Sequence, residues 1–156
     1  MTIEKATTKD AKDICSVTKT AFLRYKSESG GNISVAALEE TLDDIIFDIK
    51  KNTVFVAKNG DKKIVGTIRY KIQENGTAYI YRFAVCPQTG DDSAGSCLLD
   101  AVFSDCKKNS IEKITLHSNT SLVALKDYYL RYGFKVLEVD TSQGYSRGLF
   151  VKGLSQ

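Results

Sequence analysis

The side chains that most often carry chemistry are sparse in this sequence. Its only histidine is His117, and its four cysteines form no CxxC pair and no cluster at metal-ligand spacing. We therefore expect neither a metal site nor a histidine-based triad. Cys86 stands before Pro87 at a predicted strand end and Cys97 stands within a predicted helix, so reduced, mostly buried thiols are expected rather than nucleophiles. His117, at the end of a predicted strand, is the less favoured catalytic candidate.

Acidic side chains are concentrated in the second predicted helix. They are Glu39, Glu40, Asp43, Asp44 and Asp48. Several form like-charge pairs four residues apart, and each pair costs an isolated helix about a few tenths of a kcal/mol. Such a face could attract a cationic amine, but a solvated outer face is the favoured interpretation.

Positions 90–96 span the loop before another predicted helix and the first turn of that helix. Free N–H groups and the helix dipole make a helix start an anion site. However, Asp91 and Asp92 oppose a phosphate, because two like charges about 4 Å apart repel by about 4 kcal/mol at an effective dielectric near 20. The alternative is an ordinary N-cap at Asp92 or Ser93 with no ligand. The loop alone does not decide between the two.

Length and composition predict one globular domain over residues 1–156. Of these residues, 42% are hydrophobic and 26% charged. The net charge of +3 comes from scattered charges, with no block suited to nucleic acid or a membrane surface. No apolar run reaches the roughly 18 residues of a membrane span, and the N-terminus lacks a signal-peptide pattern. We expect a cytoplasmic protein without nucleic-acid or membrane partners, and a homodimer stays open.

Hydrophobic periodicity predicts four helices and seven strands. The helices cover about 8–22, 34–52, 93–109 and 121–132. The strands cover 2–6, 53–57, 63–72, 77–86, 111–117, 134–139 and 145–154. Segment 25–32 is predicted to be a mobile loop, and Ile33 with Leu38 to form a hydrophobic staple across a Ser34 cap.

Turn signals and connections predict how the strands pair. Asn59-Gly60 and Asn75-Gly76 favour two hairpins, so three consecutive strands are antiparallel. The strand, helix and strand over 77–117 predict one parallel pair with a right-handed crossover. The fold class is therefore α/β, with one mixed, mostly antiparallel sheet and helices on both faces.

This order of elements resembles the GNAT superfamily of N-acetyltransferases over nearly the whole chain. The resemblance is carried by the segments IEKATTKDAKDI, IYRFAVCPQTGDDSAGSCLLDAVF and SLVALKDYYLRYGF, and most strongly by YYLRYGF. It implies acetyl-CoA as cosubstrate, no metal, and transfer of the acetyl group to an amine by direct attack. A small-molecule amine and a peptide amine both remain open as acceptor.

The resemblance also implies a cofactor site. In GNAT-like proteins the strand that contains Phe83, Ala84 and Val85 splays from its parallel neighbour, and backbone amides there contact the pantetheine. The pyrophosphate loop would comprise Gly90, Asp91, Asp92, Ser93, Ala94, Gly95 and Ser96. The family pattern has Gln or Arg, two variable residues, Gly, one variable residue, then Gly or Ala. Gly90 and Ser93 depart from that pattern, and only Gly95 matches it.

Tyr129, four residues before Gly133, takes the place where family members commonly have a tyrosine that protonates the CoA thiolate. A phenol of ordinary pKa, about 10, suits a thiolate whose conjugate acid has a pKa near 8.5. A purely structural aromatic is the alternative for Tyr129, and Tyr128 is the second choice of donor. No carboxylate stands out as general base, and proton removal through water is compatible with that.

Three functions fit these observations. The first is an acetyl-CoA-dependent N-acetyltransferase. The second is a CoA-binding or regulatory module of the same fold without acyl transfer, which the departures at Gly90 and Ser93 would allow. The third is a protein-interaction domain that binds no CoA.

Overall fold

The computed structural model describes residues 1–31, 34–87 and 93–154. Within these ranges the strands are β1 (Thr2–Lys5), β2 (Thr53–Lys58), β3 (Ile64–Ile72), β4 (Ala78–Val85), β5 (Lys113–Asn119), β6 (Lys135–Asp140) and β7 (Arg147–Gly153). The helices are α1 (Ala11–Glu28), α2 (Leu42–Lys51), α3 (Ser93–Lys108) and α4 (Val123–Arg131). Short 3₁₀ helices precede α1 and α2.

The strands form one sheet in the order β1-β2-β3-β4-β5-β7-β6. Strands β4 and β5 are parallel, and the other neighbours are antiparallel. The predicted antiparallel run and the parallel pair across α3 are thus confirmed. The predicted α/β class, with a mixed and mostly antiparallel sheet, is confirmed as well.

Strand β2 shows how the sheet divides the hydrophobic core. Val54 and Val56 pack in a cluster with Ile14 of α1 and Ile45 of α2. Phe55, which lies between them, packs in a larger cluster to which α3 and α4 contribute. Since neighbouring side chains of a strand point to opposite faces, α1 and α2 cover one face and α3 and α4 cover the other.

The first helix is longer than predicted. It continues to Glu28, so the prediction of a loop from residue 25 is wrong for its first four positions. Two contacts stabilise the extra turn: Arg24 pairs with Glu28 at 2.6 Å, and the Tyr25 hydroxyl accepts a hydrogen bond from the Asn119 amide at 3.0 Å. Asn32, the end of the predicted loop, lies outside the described residues.

The second helix begins later than predicted, and the cap at Ser34 is wrong. Thr41 and Asp44 form a capping box, in which the Thr41 amide donates to the Asp44 carboxylate at 2.9 Å. Glu40 has extended backbone angles and separates α2 from the 3₁₀ turn Ala36–Glu39. The hydrophobic staple cannot be placed, because Ile33 lies outside the described residues.

Strand β5 starts and ends two residues later than predicted. Ser118 and Asn119 extend it by pairing with Gly148 and Arg147 of β7. His117 therefore lies inside the strand rather than at its end. Helix α4 ends as predicted before Gly133, whose φ of 92° suits a glycine at a helix C-terminus.

Two further observations concern the helices and the cysteines. None of the helices within the described ranges is long and apolar enough to cross a bilayer. No disulfide bond joins the cysteines of the described residues, and Cys106 is fully buried. Cys15, Cys86 and Cys97 are partly buried, so the expectation of buried thiols is met in full only at Cys106.

Candidate active site

A cleft opens where β4 and β5 part. The two strands pair only at Ala78 with Ile114 and at Tyr79 with Thr115. Beyond Tyr79 they diverge, and a cleft of about 730 Å³ lies between them. This volume is in the range of small-molecule and cofactor sites.

A β-bulge in β4 accompanies the divergence. Thr67 pairs with Ala84 and Arg69 with Tyr81, so Arg82 and Phe83 together oppose the single residue Ile68. Arg82 has a φ of 52°, a left-handed conformation that is uncommon for arginine. Bulges bend a strand and increase its twist, which turns β4 away from β5 beyond this point.

The bulged strand offers a backbone donor to the cleft. The Cys86 amide donates to the Val65 carbonyl of β3 at 2.7 Å. Successive amides of a strand point to opposite edges, so the Val85 amide faces the β5 side, where β4 has no strand partner. By the same alternation the Ala84 amide faces β3.

The structure brings some of the predicted cofactor residues into the cleft and leaves others out. Phe83, Val85 and Gly95 line it. Ala84 and Ala94 are buried at 2% and 0% exposure and do not line it. Ser93 and Ser96 lie in the first turn of α3, where the Ser96 hydroxyl donates to the Ser93 carbonyl at 3.1 Å. Gly90, Asp91 and Asp92 lie outside the described residues.

Gly95 leaves room for Tyr128. A Cβ at position 95 would lie 2.7 Å from the Tyr128 hydroxyl. That hydroxyl is buried and has no hydrogen-bond partner within the described part of the chain. Burial, followed by the neighbouring Tyr132, raises the pKa of Tyr128. Tyr128 thus brings an unpaired donor to the cleft beside the start of α3.

Tyr129 also lines the cleft, and its ring belongs to the core. It contacts the rings of Phe83, Phe134 and Phe150 and is 7% exposed. The expectation of an ordinary pKa is wrong, because burial, with smaller effects of Tyr128 and Tyr25, raises the pKa of Tyr129. Because Tyr25 is on α1 and Tyr128 is on α4, the Tyr129 phenol interacts electrostatically with tyrosines from both faces of the sheet.

On the α1 face, Tyr79 and His117 meet across the gap. The Tyr79 hydroxyl and His117 Nδ1 are 2.7 Å apart, and the tautomer of the imidazole sets which of them donates. Burial and the charge of Arg147 lower the pKa of His117, whereas burial raises that of Tyr79. Sequence reasoning missed Tyr79. Its only signal is the alternation of Tyr79 and Tyr81 on one face of β4.

The acidic residues of the second helix are not all solvated. Arg69, with 0% exposure, forms a two-pronged ion pair with Glu40 at 2.6 and 2.7 Å and a further one with Asp48 at 2.9 Å. Burial alone would lower the pKa of Arg69, but the two carboxylates raise it. Glu40 also pairs with Arg82 of the bulge at 3.3 Å. Glu40 and Asp48 are thus engaged internally, contrary to the favoured interpretation of a solvated face.

The described residues offer neither a metal site nor an acidic side chain that lines the cleft. No group of three or more His, Cys, Asp or Glu side chains there could hold a metal ion. No aspartate or glutamate is among the described residues that line the cleft, whereas Arg24, Arg82, Arg131 and Arg147 are.

The fold of this chain is similar to the folds of solved acetyltransferases. PaiA N-acetyltransferase from Thermoplasma acidophilum, solved in complex with coenzyme A, has a TM-score of 0.80 and 21% identity, over 98% of this chain and 99% of that one. YncA from Salmonella typhimurium, a putative acetyltransferase solved with acetyl-CoA, has a TM-score of 0.79 and 14% identity, over 100% and 95%. Ribosomal-protein-alanine N-acetyltransferase from Brucella melitensis has a TM-score of 0.79 and 14% identity, over 99% and 100%.

The sequence itself carries the family. Residues 27–149 match the model of the acetyltransferase (GNAT) domain. This chain therefore belongs to the GNAT acetyltransferase family, as the resemblance of its motifs predicted. No curated protein matches it significantly.

Proposed function

We propose that this chain is an acetyl-CoA-dependent N-acetyltransferase that moves the acetyl group to a primary amine by direct attack of the nitrogen. The observation that carries the proposal is the cleft between β4 and β5, in which a free backbone edge meets a tyrosine hydroxyl. The GNAT family match supports the same activity.

The residues of the cleft fit a long cofactor arm. The Val85 amide is turned toward the gap, and Phe83 supplies an apolar wall. Gly95 lines the cleft at the first turn of α3 and leaves room for the Tyr128 hydroxyl, which has no hydrogen-bond partner in the described part of the chain. Backbone donors and a helix start are suited to the polar arm and the phosphates of a coenzyme. Acetyl-CoA, when bound, supplies an acetyl thioester that an amine can attack with release of the coenzyme thiol.

We assign the proton for the departing sulfur to Tyr129. The raised pKa of Tyr129 keeps the phenol protonated near neutral pH, so a proton is available. Burial raises the pKa of a thiol as well, so a thiolate formed in the same cleft would be a stronger base than it is in water. Tyr128 is the second candidate because its hydroxyl points to Gly95, at the far end of the cleft.

We assign the proton lost by the attacking nitrogen to His117. When Nδ1 carries the imidazole proton and donates it to the Tyr79 oxygen, Nε2 is free to accept. The lowered pKa of His117 keeps the ring neutral at neutral pH. No carboxylate lines the described part of the cleft, so we assign the role of general base to His117.

Two measurements test the proposed function. Acetyl-CoA should raise the melting temperature, because a ligand present at about 100 times its Kd stabilises the native state by about 2.7 kcal/mol. Mixing protein, acetyl-CoA and a panel of primary amines should then release free thiol. Stabilisation without thiol release would favour the CoA-binding module, and no stabilisation at millimolar acetyl-CoA would reject both.

A further inference from the structure

The cleft has two sides, separated by the sheet. Phe83, Leu116 and Tyr129 belong to the α3 and α4 face. Tyr79 and His117 are on the α1 and α2 face. If the coenzyme lies on the α3 side, as proposed above, the acceptor must enter from the α1 side.

The acceptor side is basic. Arg24, Arg82 and Arg147 line it, and the described lining residues include no carboxylate. Two of these arginines already have partners, since Arg24 pairs with Glu28 and Arg82 with Glu40. A polycationic acceptor would find no partner for a second positive charge here.

Arg147 differs from the other two arginines. Arg147 of β7 pairs with Asn119 of β5. His117 is two residues before Asn119 in the same strand, so Arg147 and His117 lie on the same face of the sheet. Arg147 is half-buried, and within the described chain no carboxylate lies within 4.0 Å of its guanidinium. Its cross-strand partner on β6, Asp140, accepts two hydrogen bonds from Ser142, at 2.8 and 2.9 Å; these bonds and, as a smaller effect, the charge of Arg147 lower the pKa of Asp140.

A half-buried guanidinium that forms no close ion pair is suited to anchor an anion. Arginine binds a carboxylate through two parallel N–H donors, which fixes orientation as well as charge. The charge of Arg147 acts on both His117 and Tyr79, so a carboxylate held there would lie near the proposed base. Tyr25, Tyr79 and Tyr145 line the same cleft.

From this geometry we infer that the acceptor is an amine that also carries a carboxylate, as an amino acid does, and that Arg147 binds this carboxylate. The inference rests on the proposed function, because it concerns the acceptor of the same site. Arg147 acts as a specificity-determining residue, and the aromatic wall accommodates an apolar side chain.

Matched probes test the inference. L-Phenylalanine, L-phenylalaninamide and phenethylamine keep the same ring and amine but differ in the carboxylate, and L-methionine with its amide is a second pair. Their binding to protein saturated with CoA is measured by calorimetry, and their kcat/KM by thiol release from acetyl-CoA. We expect at least a tenfold preference for the acid over its amide in both measurements.

Variants assign that preference to Arg147. Arg147→Gln should reduce this preference at least tenfold by weakening binding of the acid while binding of the amide is unchanged, and Arg147→Lys should retain part of the preference. Arg24→Gln, in the same cleft, is the control and should leave the preference intact. Equal binding of acid and amide, no binding of either to the CoA complex, or equal loss of both in Arg147→Gln would overturn the inference. Absence of coenzyme binding would instead reject the proposed function.

Discussion

The Tyr79 hydroxyl lies 2.7 Å from His117 Nδ1, just beyond the last backbone pair between β4 and β5. On the α1 side, this side-chain hydrogen bond joins β4 and β5 at the point where their backbone pairing ends. It fixes the orientation of the only imidazole in the chain. A hydrogen-bonded, partly buried imidazole beside an arginine has properties that can be measured directly.

The pKa of His117 should lie below its ordinary value of about 6.5. Burial is the main cause, and the charge of Arg147 is the second. Because His117 is the only histidine, its ring protons can be followed by NMR titration without ambiguity. Arg147→Gln should raise this pKa, while Arg24→Gln should not. A wild-type value at or above 6.5 would contradict the burial of the ring.

The same shift predicts how stability depends on pH. A folded-state pKa below the unfolded value means that the unfolded chain binds the proton more readily, so stability is full above about pH 6.5. It is lost as the pH falls from there toward the folded-state pKa, with a slope of at most about 1.4 kcal/mol per pH unit. Urea unfolding between pH 7.5 and 5.5 measures the slope. In His117→Asn the slope in this range should largely vanish, and its persistence would assign it to other groups.

Tyr129→Phe should abolish most turnover and leave coenzyme binding nearly unchanged. Loss of a general acid lowers kcat by about 10²–10⁴-fold, whereas the ring contacts with Phe134 and Phe150 remain. Steady-state kinetics and calorimetry with CoA separate the two effects. Tyr132→Phe is the control, because Tyr132 is on the same helix end and does not line the cleft. Equal turnover of Tyr129→Phe and wild type would transfer the role to Tyr128.

Much of the fold is predictable from local signals in the sequence. The Asn-Gly turns define the hairpins β2-β3 and β3-β4, and Gly133 defines the end of α4. Even the late start of α2 has a local signal, because Thr41 and Asp44 have the spacing of a capping box. A Ser34 cap with a hydrophobic staple favoured an earlier start, but the capping box of Thr41 and Asp44 defines the boundary.

The candidate site was harder to predict from the sequence, because it depends on contacts between residues that are far apart in the chain. Arg69 and Glu40 are 29 residues apart, and no local pattern indicates that this arginine is buried with two carboxylates. The bulge requires a positive φ at Arg82, which the pairing with β3 imposes rather than the residue type. The contact of Tyr79 with His117 depends on the register of two parallel strands joined by a long crossover.

Breaking the buried ion pair between Arg69 and Glu40 should destabilise the protein strongly. Glu40→Ala leaves a buried guanidinium with one carboxylate fewer, and loss of one partner of a buried pair typically costs about 3–5 kcal/mol. Chemical denaturation measures the free energy of unfolding. Arg24→Ala breaks an exposed pair with Glu28 and should cost less than about 1 kcal/mol. If both variants lowered the free energy of unfolding by similar amounts, the buried ion pair would contribute no more to stability than the exposed pair does.

Gly95→Ala should destabilise the protein through a clash with Tyr128, and a second substitution should relieve it. The new methyl group would lie 2.7 Å from the Tyr128 hydroxyl, whose ring is packed against Phe83 and Tyr132 and cannot easily withdraw. Overpacking of this kind costs about 1–3 kcal/mol. Tyr128→Phe removes the clashing oxygen, so the double variant should recover most of the lost stability in urea unfolding. If the double variant is no more stable than Gly95→Ala alone, the close approach of Tyr128 to α3 is not the reason for a glycine at position 95.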